Sequence, residues 1–144
     1  MKNIFKYFAL LPLLTSCDDK KIETNVDYLT QKKWYLESAM VTVTGGGMDT
    51  TYDMAAIMPA CRLDDFWQYN EDETYVNDNG NTKCDESEEQ IQERGTWEFA
   101  EEFTVLYQNS TPFTIITLNS DLMILRNQDI EEGRTFTVNY TYKH

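Results

Sequence analysis

Side chains that could catalyse a reaction are scarce in this sequence. His144 is the only histidine, so neither a Ser-His-Asp triad nor a Cys-His pair has a well-placed base. Adjacent carboxylates occur at Asp64-Asp65 and Glu101-Glu102, and paired carboxylates perform glycoside hydrolysis. Because 25 of the 144 residues are Asp or Glu, such pairs arise from composition alone. We therefore predict a non-catalytic protein, with no catalytic residue and no cofactor.

Oxygen-bearing side chains concentrate around Cys84. They are Asn77, Asp78, Asn79, Asp85, Glu86, Glu88 and Glu89. Carboxylate and amide oxygens are the ligands that Ca²⁺ takes, but the spacing of an EF-hand is not met, because Tyr75 would occupy its first ligand position. Two interpretations stay open, a cation site and an acidic loop exposed to solvent, and no metal ligand is assigned.

Aromatic side chains are the better candidates for a function. On the apolar faces of strands they would either fill a core or line a cavity for one small hydrophobic ligand. The predicted core or cavity lining is Trp34, Leu36, Trp97, Phe99, Tyr107, Phe136, Val138 and Tyr140. Methionines in the segment 45–60 would suit a lid that repacks over such a cavity, or would simply cover one end of the fold.

Alternation of apolar and polar residues dominates the chain and predicts the strands that must position these side chains. In the segment 135–142, aromatic or apolar residues alternate with Thr and Asn, which is typical of a strand with one buried face. Turn sequences separate the expected strands, which are 33–44, 66–70, 74–77, 95–99, 103–108, 113–118, 122–126 and 135–142. We expect a lid or short helix in 45–60, and one or two acidic helical turns in 85–93.

Eight strands joined by short connections favour one architecture. Hairpin-length links make neighbouring strands antiparallel, and eight such strands can close into a barrel without exposed edges. The predicted fold class is all-β, a single eight-stranded antiparallel up-and-down barrel.

The N-terminal segment has the order of a secretory signal peptide. Lys2 and Lys6 precede a short apolar run, and small residues lead to Cys17. The ending Leu-Thr-Ser-Cys resembles a bacterial lipobox, which implies that Cys17 is lipidated and anchors the protein to a membrane. We expect a signal peptide over 1–16, a lipidated N-terminus and polar tether over 17–28, and the barrel domain over 29–144.

The three cysteines then divide by role. With Cys17 used by the lipid, Cys61 and Cys84 form an even pair in an exported protein, and the pair predicts a disulfide. A zinc site is disfavoured, because no further thiolate or histidine lies nearby to complete four ligands.

Several motifs in order carry a family resemblance. They are Trp34 at the start of the first strand, the block Cys61-x-x-Asp64-Asp65-x-x-x-Tyr69 through Gly80 to Cys84, and Gly95-Thr96-Trp97 opening a later strand. Together they resemble the lipocalin-like domain of small Bacteroidota-type bacterial lipoproteins. The resemblance covers residues 29 to 144 and implies a lipocalin-like barrel.

The net charge and the family resemblance limit the functions that we expect. A net charge of −13 repels nucleic-acid phosphates, so no nucleic-acid partner is expected. We predict a lipid-anchored protein of the cell envelope that binds a small hydrophobic molecule. The alternative is a solid-core protein that contacts an envelope complex through its acidic surface or loops.

The residues that follow Cys17 bear on which membrane holds the protein. Asp18 and Asp19 resemble the surface-export signals of Bacteroidota-type lipoproteins. In other Gram-negative bacteria, Asp at that place favours retention at the inner membrane. We expect the outer membrane, and two orientations stay open, with the protein facing outward or inward.

Overall fold

The computed structural model describes residues 24–47 and 49–144. The predicted signal peptide, Cys17, most of the expected tether and Met48 lie outside the described residues.

One short helix and nine strands make up the described chain. Two single 3-10 turns, Ala55–Ile57 and Ala60–Arg62, lie between the second and third strands. The helix α1 and the strands are α1 Asn25–Thr30, β1 Trp34–Thr44, β2 Thr50–Asp53, β3 Phe66–Tyr69, β4 Thr74–Asp78, β5 Ile91–Ala100, β6 Val105–Gln108, β7 Thr111–Leu118, β8 Leu122–Glu131 and β9 Arg134–Lys143.

The strands close into a barrel. From β3 to β9 each strand pairs antiparallel with the next, and β9 returns to pair with β1. The first two residues of β1, Trp34 and Tyr35, pair with β3 and complete the ring. The predicted all-β, eight-stranded antiparallel barrel is therefore confirmed. β2 is an additional strand, which pairs with β1 between Met40 and Val43.

Two segments differ from the expectation in whole or in part. The segment 45–60, expected as a lid or short helix, contains the 3-10 turn Ala55–Ile57, and it also contributes the strand β2, which was not expected. The acidic helical turns expected in 85–93 are wrong, because Ile91 already begins β5. Before it, the Asp85 carboxylate accepts a hydrogen bond from the Ser87 backbone N–H at 2.8 Å. Such a local bond offers the backbone an alternative to a helix.

The helix α1 seals one end of the barrel, the end at which β1 begins and β9 finishes (the closed end). Its start is fixed by a capping box, in which the Thr24 N–H donates to Asp27 at 2.8 Å and the Asp27 N–H donates to the Thr24 hydroxyl at 3.2 Å. Leu29 is 0% exposed, and its carbonyl accepts the Trp34 indole N–H at 2.9 Å. Part of the segment expected as a tether is thus helical and packed on the barrel.

Aromatic side chains dominate the core. The buried cluster consists of Leu29, Trp34, Tyr69, Tyr75, Trp97, Leu106, Met123, Leu125 and Tyr142. Successive residues of a strand face opposite sides, so the alternation in β9 places Tyr142 inside and leaves the threonines of that strand on the outer face. At the closed end, the ring of His144 lies 3.9 Å from that of Trp34.

The Cys61–Cys84 disulfide is confirmed. The two Cα atoms lie 5.1 Å apart, with 23 residues of sequence separation. The bond joins the 3-10 turn Ala60–Arg62 to the loop that leads into β5. It therefore ties two loops at the end of the barrel opposite α1, where β3 begins and β4 finishes (the mouth).

We predict that Leu29→Ala destabilises the fold by about 2–5 kcal/mol, the usual cost of emptying a fully buried leucine site. Urea unfolding monitored by tryptophan fluorescence measures this free energy. Leu63→Ala is the matched control: Leu63 is 58% exposed, so its loss should change the free energy by ~0.5 kcal/mol or less. Equal, small losses for both variants would show that α1 does not belong to the folded unit.

Removal of the disulfide by the double substitution Cys61→Ser and Cys84→Ser should lower the free energy of unfolding by about 3–4 kcal/mol, through the loop entropy regained by the unfolded chain. Thermal unfolding with and without dithiothreitol gives the comparison. Reductant should lower the melting temperature of the wild type to that of the variant and leave the variant unchanged. A wild type insensitive to reductant contradicts the prediction.

Candidate functional site

The predicted lining residues divide into three groups in the structure. Trp34 and Trp97 are buried in the core, and Leu36, Phe99 and Tyr140 are half-buried and pack against it. These five face the barrel interior. Of them, Leu36 and Tyr140 line the cavity described below.

Tyr107 instead lies on the outer face of the barrel. The structure places it between Leu106 and Gln108, which are both buried, and it pairs with Glu98, whose side chain is exposed. With only four residues, β6 is too short for its sequence to show which of the alternating side chains face the interior. Its face is set by pairing with β5, where Leu106 sits opposite Phe99.

Phe136 and Val138 lie beyond the core. They are half-buried and share the face of Tyr140 on β9, where they pair with Val43 and Val41 of β1. β7 pairs with β8 no further than Arg126, so the distal halves of β8, β9 and β1 project past the mouth together with β2. These two residues cover that projecting sheet and not the core.

A cavity of about 380 Å³ opens at the mouth. Aromatic, aliphatic and methionine side chains form most of its wall, and a short polar stretch completes it. It is lined by Leu36, Met54, Met58, Arg62, Asp65, Trp67, Asn77, Gln92, Tyr140 and Tyr142. Its volume falls within the range of ~300–1,000 Å³ that is usual for small-molecule sites.

A second cavity of about 250 Å³ adjoins the first. Both are lined by Trp67, Tyr140 and Tyr142, so these three rings stand between them. Inside the second cavity, the Tyr75 hydroxyl donates to Glu93 and accepts from the Asn109 amide at 2.9 Å. Burial raises the pKa of the Tyr75 phenol, and the hydrogen bond to Glu93 raises it further; the phenol therefore stays neutral at physiological pH.

Met54 and Met58 form a lid over the larger cavity. The lid is tied to β1, because the Met54 N–H donates to the Ala39 carbonyl at 2.9 Å. The Asp53 carboxylate accepts from the N–H groups of Ala39 and Ala55, each at 2.9 Å. Of the methionines expected to form a lid, these two line the cavity. The thioether side chain repacks readily, so the lid can adapt to different shapes.

Arg62 holds the polar side of the mouth together. Its guanidinium donates to Asn79 at 2.6 Å and to Glu88 at 2.5 Å. Asn79 is fully buried, and its amide donates to the Glu89 carbonyl at 2.6 Å and accepts from Gln92. Two donor groups of Arg62 are therefore committed to protein acceptors beside the disulfide.

The adjacent carboxylates Asp64 and Asp65 face opposite sides. Asp64 points outward and accepts from the N–H groups of Asn81 and Thr82 at 2.7 and 2.9 Å, and the hydroxyl of Thr82 lowers its pKa most. Asp65 lines the cavity, and burial raises the pKa of its carboxyl. The two groups do not form a catalytic pair.

Two acceptor atoms on the cavity wall have no hydrogen-bond partner among the described residues. They are Oδ1 of Asp65 and Oδ1 of Asn77, and both are shielded from solvent. The other oxygen of Asp65 accepts from the Gln92 amide at 2.8 Å and lies 3.6 Å from the Arg62 guanidinium. A buried acceptor without a donor costs free energy, so both atoms are suited to accept a donor from a bound molecule.

Several side-chain oxygens around Cys84 are hydrogen-bonded within the protein. Asp78 accepts from the Gly80 N–H and the Gln90 amide at 2.9 and 2.6 Å. Glu88 and Asn79 are held by Arg62. Across the described ranges, no cluster of three or more His, Cys, Asp or Glu side chains is arranged to hold a metal ion. Within the same ranges, no helix is long and apolar enough to cross a membrane.

Part of the cavity wall was absent from the predicted lining. Alternation within β3 and β4 places Trp67 and Asn77 on one face, where they pair across the strands. Their place in the wall could therefore have been predicted from the sequence. Asp65 and Arg62 gave no such signal, since they precede the strand in a loop. A register shift between Asn77 and Asp78 likewise hides the position of Gln92.

We predict that Arg62→Met lowers the free energy of unfolding by about 2–4 kcal/mol, because Asn79 loses a buried donor and Glu88 loses its cationic partner. Chemical denaturation measures the change. Arg94→Met is the control: Arg94 is exposed on the outer face of β5, and its replacement should cost ~0.5 kcal/mol or less. Similar values for both variants would contradict a structural role for Arg62 at the mouth.

Comparison of the chain with protein-family models, curated proteins and solved structures found no match. The resemblance to lipocalin-like lipoprotein domains therefore stays a prediction, while the closed barrel and the disulfide are properties of the structure.

Proposed function

We propose that this protein binds one small, mainly apolar molecule in the cavity at the barrel mouth, without chemical conversion. We further propose that it does so at the cell envelope, anchored through a lipid on Cys17. The second proposal is supported by the sequence alone, since Cys17 lies outside the described residues.

The observation that carries the binding proposal is the composition of the cavity wall. Trp67, Tyr140 and Tyr142 provide aromatic surface, and Leu36 adds an aliphatic side. Sites for small molecules are concave and mostly apolar, with few polar groups that fix orientation. The mouth fits that description, since its polar groups occupy one side.

The interior is filled elsewhere, which confines the ligand to the mouth. Trp34, Tyr69 and Trp97 are buried in the core together with Leu29 of α1. An eight-stranded barrel has room for side chains or for one small ligand. Here side chains fill the interior at the closed end, and the free volume lies at the mouth.

The binding proposal predicts saturable, one-to-one binding of N-phenyl-1-naphthylamine, an apolar fluorescent probe. The protein is the full chain with Cys17→Ser, so that no attached lipid competes. Asn77→Phe should weaken probe binding by about tenfold or more, because the ring fills the cavity. Val76→Phe is the matched control: Val76 precedes Asn77 on β4 and faces outward, so this variant should bind like the parent.

Thermal unfolding of both variants separates a blocked cavity from a lost fold. A folded Asn77→Phe protein that binds the probe like the parent would place the binding elsewhere. A folded parent that does not bind the probe saturably would reject the proposed function.

A further inference from the structure

We propose that the ligand carries a protonated amine, which the mouth recognises through Asp65 and Asn77 while the apolar part lies against Trp67 and Tyr140. The inference rests on the proposed function and specifies the class of ligand. It follows from four properties of the mouth, taken in turn.

The first property is the mismatch of donors and acceptors. Oδ1 of Asp65 and Oδ1 of Asn77 lack a donor among the described residues, and both residues line the larger cavity. An unmet buried acceptor costs ~1–3 kcal/mol, and more if it is charged. An ammonium group brings three N–H donors and no acceptor. An amine in the cavity is therefore the kind of group that either oxygen lacks.

The second property is that the charged donor of the wall is already engaged. Arg62, Gln92 and Asn77 are the side chains of the cavity wall with several N–H groups. Arg62 donates to Asn79 and Glu88, and Gln92 donates to Asp65 and Asn79. An anionic ligand such as a carboxylate or phosphate would pair best with Arg62, and it would have to compete there with Asn79 and Glu88.

The third property is the sign of the charge. The ionisable side chains that line the two cavities, apart from tyrosines, are Arg62, Asp65 and Glu93. Arg62 is shared between Glu88 at 2.5 Å and Asp65 at 3.6 Å, so this one cation does not balance the carboxylates and the two cavities keep an excess of negative charge. Burial is the largest cause of the raised pKa of Asp65, and Arg62 only partly opposes it. A cation beside this carboxylate would stabilise its charged form and so oppose the effect of burial on its pKa.

The fourth property is the aromatic wall. Trp67, Tyr140 and Tyr142 line the same cavity as Asp65. The face of an aromatic ring attracts a cation within ~6 Å of its centre, most strongly for tryptophan. The same rings hold the apolar part of the molecule. Aromatic faces beside a carboxylate thus favour an amine with an apolar chain over a neutral molecule of equal size.

The test compares octylamine, octanol and octanoate, which share a chain length and differ in the charge of the head group. Each displaces N-phenyl-1-naphthylamine from the full chain with Cys17→Ser at neutral pH. Octylamine should bind roughly tenfold tighter than octanol, and octanoate the weakest of the three. Asp65→Asn removes the charge and keeps the shape, so it should bring octylamine to within about threefold of octanol.

Glu98→Gln is the matched control, since Glu98 is an exposed acid on the outer face of β5 and its change removes the same charge. It should keep the preference for octylamine. Asn77→Asp is a second variant, in which an added carboxylate should increase that preference. Octanol or octanoate binding as tightly as octylamine overturns the amine inference and leaves apolar binding intact. Absence of probe binding overturns the proposed function itself.

Discussion

The pairing of β1 with β9 is the constraint on which the rest of the structure depends. It runs from Tyr35 opposite Lys143 to Thr44 opposite Thr135 and joins the first barrel strand to the last. Closure leaves no free edge in the ring and fixes its circumference at eight strands. That circumference decides how much space lies inside. It is wide enough for layers of aromatic rings and too narrow for an aqueous channel.

Within that fixed width, the two ends of the barrel are used differently. The closed end combines large rings with the helix α1, and the Trp34 indole finds its acceptor on Leu29. The mouth carries the polar network of Arg62 and the disulfide. The disulfide and the hydrogen bonds of Arg62 connect separate loops and stiffen the mouth. The cavity beside Trp67 can therefore stay open although no side chain fills it. Stability and an open site are thus assigned to opposite ends of one fold.

Much of this fold could be predicted from the sequence, because alternation reports burial wherever a strand is long. It located the strands of the barrel, including the long β1 and β9, and the cysteine count identified the disulfide. It did not locate α1, because six residues give too few turns for a helical period to emerge. β2 was also missed, since a four-residue strand on the edge of β1 has no buried face of its own.

The wall of the cavity was harder to predict than the fold. Register shifts place an extra residue in β1 at Glu37 and in β5 at Gln92, and each one interrupts the alternation of inward and outward residues in its strand. Asp65 reaches the cavity from a loop, where no period applies. Its hydrogen-bond partner Gln92 lies 27 residues further along the chain. Such contacts follow from the three-dimensional pairing of strands and cannot be predicted from the local pattern of apolar and polar residues.

The position of α1 has a consequence for how the protein meets its surroundings. Because the chain enters the barrel at the closed end, whatever precedes Thr24 is joined to the side away from the cavity. A barrel held to a surface through its N-terminal segment would stand on its base with the cavity facing the open solution. A molecule that binds in the cavity would then arrive from solution, and it could exchange many times while the protein remained attached.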